Sequence, residues 1–177
     1  MDSIHKNQEE DNIENLSGEK AVDKIKDLAK GETCFFCTGF TAGKPVTVRP
    51  MSVLKIDDHG NCWFLSANDS DKNRDIETDP HVQLLFKGSS HSDFLSIYGK
   101  ATVTTDRSMI KELWEPIFKT WFTEGEDDPR ITVIKVSPDQ GYYWDNKHGS
   151  AIALIKMAAG ALTGKTLDDS IEGKISN

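Results

Sequence analysis

Residues 45–66, PVTVRPMSVLKIDDHGNCWFLS, contain the pattern that decides the fold. Residues 45–56 are rich in Val and Thr and predict a long strand. Residues 57–60 form a turn sequence, and residues 61–66 are short, apolar and aromatic. The stretch therefore predicts two antiparallel strands joined by a hairpin, with a break or bulge at Pro50 in the first strand.

Strand patterns continue on both sides of this hairpin. They lie at residues 33–40, 81–87, 93–104, 130–137 and 141–145. Apolar residues alternate along 93–104, and Gly99 on the apolar face indicates a bend or a close approach of the backbone. The strands do not alternate with helices of the length that parallel strands need. The order therefore favours an antiparallel barrel or sandwich with added helices, a mainly β fold.

Helical patterns flank and interrupt the strands. Ser17 is a candidate N-cap for a helix with apolar residues at helical spacing, namely Ala21, Val22, Ile25, Leu28 and Ala29. Residues 68–77 predict a short helix that ends before Pro80. Asp106 can cap a further helix, whose apolar stripe Pro116 interrupts, so we expect a kink and then a second short helix.

The length of 177 residues corresponds to one domain. We expect an N-terminal tail over residues 1–16, one domain over residues 17–164 and a polar C-terminal tail over residues 165–177. The charged beginning of the chain lacks the features of a signal peptide, and the apolar stretch 151–162 is too short to span a membrane. These features predict a soluble, cytoplasmic protein.

The charge balance narrows the possible partners. Lys and Arg number 21 and Asp and Glu number 29, which gives a net charge of −8. This charge disfavours binding to nucleic acid or to an anionic membrane surface. Eight Phe, four Trp and three Tyr supply bulky core material, which excludes a wholly disordered chain.

The residues that most often perform catalysis or bind metals lack the corresponding spacing. Cys34 and Cys37 stand three apart in a predicted strand and so point to opposite faces, and with Cys62 they are expected to be buried structural cysteines. The five histidines show no metal-ligand spacing, so no metal site is predicted. No G-x-S-x-G or G-x-G-x-x-G motif is present, and no residue can be nominated as catalytic.

A local group of cations and hydroxyls contrasts with the acidic chain. Arg49 lies in the long strand, on the same face as Met51, and Ser66, Ser70, Lys72 and Arg74 follow the next strand, where a short helix begins. A guanidinium, an ammonium, hydroxyls and the free N–H groups of a helix start are what a phosphate monoester requires. The alternative is a solvated helix start with surface charges. The residues alone favour neither interpretation.

Short motifs in a fixed order resemble a known family. They are Arg49-Pro-Met-Ser-Val-Leu54, Trp63-Phe-Leu-Ser66, Ser70-Asp-Lys72 with Ile76, Gly99-Lys-Ala101, Asp106, Leu113-Trp-Glu-Pro116, Trp121-Phe with Gly125, Asp128-Pro129 and Tyr143-Trp-Asp145. Over residues 21–164 the chain resembles the general stress protein 26 group of the pyridoxamine 5′-phosphate oxidase-like, FMN-binding split-barrel superfamily.

This resemblance implies a six-stranded antiparallel split β-barrel and a homodimer that binds FMN non-covalently at its interface. The residues that match the family's phosphate-binding positions are Arg49, Ser70 and Lys72. Those along the edge of the flavin ring are Arg49, Pro50, Met51, Ser52, Val53, Phe64, Leu65 and Ser66. Trp114 and Trp121 are candidates to cover the ring from the partner subunit, although helical spacing alone also fits a place in the core.

The chain departs from the family in one respect. True pyridoxamine phosphate oxidases carry a C-terminal Arg-x-His element, whereas no Arg follows Arg130 here and His148 has no accompanying arginine. The resemblance therefore implies FMN binding but not pyridoxamine phosphate oxidation. The expected function is a flavin-dependent oxidoreductase acting on an unidentified small molecule. The alternatives are a flavin-binding or sensing protein without turnover, and a cofactor-free interaction protein.

Overall fold

The computed structural model describes residues 12–41, 43–88, 93–148, 152, 153, 155, 156, 158, 159 and 169–176. The strands are β1 (Leu16–Ser17), β2 (Thr33–Thr38), β3 (Thr47–Ser52), β4 (Lys55–Ile56), β5 (Cys62–Ala67), β6 (His81–Lys87), β7 (Phe94–Thr104), β8 (Ile131–Asn146) and β9 (Ser170–Ser176). The helices are α1 (Glu19–Ala29), α2 (Asp71–Thr78) and α3 (Arg107–Leu113), with 3-10 helices at Pro116–Thr120 and Gly125–Asp127.

The strands form a mixed sheet in the order β1-β9-β8-β7-β6-β2-β3, and β5 pairs with both β8 and β4. The pairs among β2, β3, β5, β6, β7 and β8 are antiparallel, as the sequence predicts. The sheet is mixed because β1 runs parallel to β9. The mainly β fold class is thereby confirmed.

The predicted hairpin forms, but its break lies at a different place. Pro50 remains inside β3, at the end of the sheet order, where the N–H that proline lacks is not needed for the ladder. The strand is interrupted at Val53 and Leu54 instead. There the Val53 N–H donates to Glu32 O (3.0 Å) and the Leu54 N–H donates to Trp63 O (3.0 Å). The break arises because the chain leaves β2 and joins β5 at this point.

The two late strands predicted at 130–137 and 141–145 are one continuous strand, β8. Its first half pairs with β5, its second half pairs with β9, and β7 accompanies it throughout. The register between β7 and β8 shifts between Tyr98 and Gly99. A Cβ atom at Gly99 would lie 2.2 Å from Ser137 O, which confirms the close backbone approach predicted at this glycine.

The main hydrophobic core lies between α1 and the inner face of the sheet. All five apolar residues predicted for α1 are buried, and the Phe36 and Phe64 rings pack edge to face at 5.3 Å. The N-cap of α1 is Gly18 rather than Ser17, because Ser17 pairs with Ser176 in the sheet. A second core cluster contains Ile110 and Leu113 of α3 packed against Ile131 and Val133.

The two ends of the described chain differ from the predicted tails. Residues 170–176 form β9, paired with β8, because Ile171, Gly173 and Ile175 alternate as a strand requires. Asn12 and Leu16 of the expected N-terminal tail are buried, and the Tyr143 hydroxyl donates to Glu14 O (2.9 Å). Residues 1–11 and the boundary predicted at residue 164 lie outside the described residues.

Candidate phosphate-binding site

The structure brings together three of the predicted phosphate-binding residues at the start of α2. Arg49 lies on the inner face of β3, opposite Phe36, and Met51 lies opposite Cys34 on the same face, as predicted. Ser70 is the N-cap of α2, and its hydroxyl accepts the Asn73 N–H (3.3 Å). Lys72 follows in the first turn. The pairing of β3 with β2 and the capping of α2 therefore position a guanidinium, an ammonium and a hydroxyl near one another.

Lys72 and one nitrogen of Arg49 are buried at this site, and the two cations have few anionic partners. Lys72 is only 8% exposed, and its Nζ lies 3.5 Å from Ser70 Oγ. Burial, and then the charge of Arg49, lower the pKa of the Lys72 ammonium. Among the described residues, the fully buried Nη1 of Arg49 has no hydrogen-bond partner. An unsatisfied buried guanidinium nitrogen beside a destabilised ammonium fits an anion with several acceptor oxygens.

The hydroxyls of the site belong to a buried polar network that holds β5 and α2 together. Ser66 Oγ and Ser70 Oγ donate to Asn73 Oδ1 at 2.9 and 3.1 Å. Asn73 Nδ2 donates to Thr132 Oγ1 (2.9 Å), which in turn donates to Ser66 O (3.0 Å). Asn73 and Thr132 were missed by sequence reasoning. The position of Asn73, three residues after the N-cap, could have indicated its place in the network. No pattern in the sequence around Thr132 indicates that Thr132 belongs to it.

The remaining residues of the predicted ring segments do not share one surface. Pro50 and Ser52 lie on the outer face of β3, whereas Arg49 and Met51 lie on the inner face. Val53 is buried in the main core. The alternation of a strand separates neighbouring side chains in this way.

The neighbouring side chains of β5 also point to different parts of the structure. The Phe64 side chain is buried against Phe36, and Ser66 is buried in the polar network. Leu65 packs against the second core cluster. Within the described part of the chain, no strand pairs with the second edge of β5 beyond Trp63.

The two candidate tryptophans differ in exposure. Trp114 is half-buried at the end of α3, where its ring lies 5.8 Å from Phe118 and 6.4 Å from Phe122. Trp121 is 62% exposed at the end of the following 3-10 helix. Trp114 therefore contributes to the second core cluster, while Trp121 presents a large apolar surface to its surroundings.

The described residues also bear on the cysteines, on metal ligands and on membrane-spanning helices. All three cysteines are buried and free, and burial raises the pKa of Cys34 and of Cys62 to about 12, as expected of structural cysteines. In the described ranges, no three His, Cys, Asp or Glu side chains are grouped so that they could hold a metal ion. None of the helices described is long and apolar enough to cross a membrane.

The protein is therefore a mainly β domain in which Lys72, buried at the start of a short helix, lies near Arg49 of the neighbouring strand β3. Residues 20–168 match the family described as pyridoxamine 5′-phosphate oxidase like, and the chain belongs to this family. The match covers most of the chain and confirms the resemblance inferred from the motifs.

Three relatives illustrate the similarity. A crystal structure assigned to general stress protein 26 from Jannaschia sp. CCS1 superposes with a TM-score of 0.71 at 24% identity, over 88% of this chain and 95% of that one. The general stress FMN/FAD binding protein from Xanthomonas citri gives 0.57 at 24% identity, over 68% and 84%. Protein bli-3 of Neurospora crassa is 29% identical over 110 residues, 58% of this chain and 53% of that protein. The chain thus spans about half the length of this curated relative.

Proposed function

We propose that this protein binds FMN non-covalently and that Arg49, Ser70 and Lys72 hold the phosphate. The observation that carries the proposal is the buried Arg49 Nη1, which has no hydrogen-bond partner among the described residues, beside the buried Lys72. A flavin phosphate carries close to two negative charges near neutral pH, so these two cations match it in charge. Membership of the family and the FMN/FAD-binding relative support a flavin as the ligand.

We further propose that the protein is a homodimer with the flavin at the interface. An exposed apolar patch supports self-association. In this patch, Phe35 of β2 lies opposite Pro50 of β3 and Leu85 of β6, and Val48 lies on the same face. Phe35 is 55% exposed, which is costly for an aromatic ring unless a partner covers it. Of Trp114 and Trp121, the exposed Trp121 is the better candidate to cover the flavin ring bound at the neighbouring subunit.

A bound flavin would supply electron transfer, and the protein would then act as an oxidoreductase on an unidentified small molecule. The residues of this chain would bind the phosphate and orient the ring. Pyridoxamine phosphate oxidation is disfavoured, because His148 Nδ1 lies 2.7 Å from the buried Asp169 carboxylate and no arginine follows Arg130. Flavin binding or sensing without turnover is the second candidate.

The first experiment is a visible absorption spectrum of the purified protein, with and without added FMN, followed by size-exclusion chromatography. We expect flavin bands in a peak of dimer size. Bleaching by NAD(P)H and reoxidation by air would favour redox turnover, while a flavin that NAD(P)H does not reduce would favour binding alone. A colourless protein that does not take up FMN would contradict the proposal.

The phosphate assignment is tested by the double substitution Arg49→Ala and Lys72→Ala. Each charge-assisted contact contributes about 1.5–3 kcal/mol, so together their loss weakens FMN binding by about 100-fold or more. The matched control is Lys100→Ala with Arg107→Ala, which removes the same residue types from exposed positions. Isothermal titration with FMN measures both variants. Unchanged FMN affinity in the folded double variant would show that the phosphate lies elsewhere.

A further inference from the structure

Asp71 lies between Ser70 and Lys72 in the sequence, at the start of α2. Its Oδ2 is 3.5 Å from Nη2 of Arg49, the guanidinium assigned to the phosphate. Its Oδ1 contacts the Arg74 guanidinium one turn later. A carboxylate therefore accompanies one of the two cations that the phosphate needs.

Two features favour the carboxylate in this position. The N-terminus of a helix attracts negative charge, and both Arg49 and Arg74 carry positive charge. Asp71 is 68% exposed, so its side chain can turn toward water without losing buried contacts. The carboxylate lies at the exposed edge of the site. There it interacts with positive charge that a phosphoryl group would also contact.

A phosphoryl group bound by Arg49 and Lys72 would meet this carboxylate as a like charge. It must either displace Asp71 from Arg49 or share the guanidinium with it, and both lower the affinity of the site. We infer that Asp71 is an internal competitor for the phosphoryl group and weakens its binding to the site. The inference rests on the proposed function. It implies that the affinity for a phosphorylated ligand is lower than the two cations alone would give.

The test is Asp71→Asn, which keeps the size of the side chain and removes its charge. The matched control is Asp69→Asn, an exposed carboxylate two residues earlier, in the turn before α2. Titrations use FMN, riboflavin and inorganic phosphate, and circular dichroism verifies that both variants are folded. We expect Asp71→Asn to bind FMN about threefold to tenfold more tightly, the effect of removing one partly exposed charge. Riboflavin affinity should be unchanged, because riboflavin has no phosphate.

The outcomes separate this inference from the proposed function. Equal or weaker FMN binding by Asp71→Asn, or equal tightening by Asp69→Asn, would overturn the inference while leaving FMN binding intact. If no form binds FMN but phosphate stabilises Asp71→Asn more than the natural protein, the proposed function fails and the competitor role stands. If neither FMN nor phosphate acts on any form, both are overturned.

Discussion

The Lys72 ammonium is buried at an expense in stability that the proposed phosphate ligand would offset. Its ammonium is almost fully buried, and burial together with the charge of Arg49 lowers its pKa. Its hydrogen-bond acceptor is a hydroxyl at 3.5 Å. A charge held in this way destabilises the ligand-free fold, and a bound anion would remove that cost.

Replacing Lys72 with Met should therefore separate stability from binding. We expect Lys72→Met to raise the melting temperature of the flavin-free protein by about 2–4 °C, which corresponds to about 1 kcal/mol for a chain of this size. The same substitution should reduce the stabilisation that added FMN produces, because one of the two charge-assisted contacts to the phosphate is lost. Lys100→Met, at an exposed position, is the control. A lower melting temperature for Lys72→Met would mean that the ammonium has a structural role.

At the scale of the elements, β8 organises the fold. It pairs with β5 and β9 along its two halves and with β7 along its length, and the register shift at Tyr98 and Gly99 accommodates the close contact with Ser137. Because β5 begins the connection to α2, the position of β8 also determines where Ser66 and Thr132 meet.

Gly99→Ala tests this arrangement. The added methyl group would lie 2.2 Å from the Ser137 carbonyl oxygen, so the β7–β8 pairing must shift. We expect the free energy of unfolding in urea to fall by about 3 kcal/mol, the upper range for overpacking. Thr102→Ala, in the same strand but exposed, should change it by less than about 1 kcal/mol. A loss at Gly99 no larger than at Thr102 would contradict the observed register.

On the scale of the whole molecule, the outer face of the sheet carries neighbouring exposed apolar residues. Phe35, Pro50 and Leu85 are exposed side by side across β3, β2 and β6. Apolar residues that are contiguous in this way, rather than scattered, indicate a surface that a partner covers. A second copy of the chain is the occupant that we propose.

Phe35→Glu should weaken the dimer, because burying a carboxylate at an apolar interface is unfavourable. We expect the mass measured by light scattering to fall to that of one chain at concentrations where the natural protein is dimeric. Flavin retention should fall with it, since the interface would no longer form. Thr102→Glu is the control for an added charge elsewhere on the sheet. A dimeric Phe35→Glu variant would place the interface on another surface.

Much of the fold could be predicted from local patterns. Alternation of apolar residues and the turn at residues 57–60 predicted the hairpin, although not where its first strand breaks. The strand β9 was mistaken for a tail because its sequence, SIEGKIS, is short and polar on one side. Its pairing depends on β8, which lies 24 or more residues earlier in the chain, and no local signal reports such a partner.

The mainly β class follows from periodicity and turn sequences, which are local properties, and the family follows from the order of short motifs along the chain. The cations and hydroxyls of Arg49, Ser70 and Lys72 could be proposed as a group for the same reason. Only the tertiary structure decided that Lys72 is buried, that one nitrogen of Arg49 has no hydrogen-bond partner among the described residues, and that Asp71 reaches Arg49. These properties depend on the distance between β3 and α2, which are separated along the chain by the hairpin. Burial and charge pairing arise from that packing, and the residues cannot reveal them until the strands have been placed.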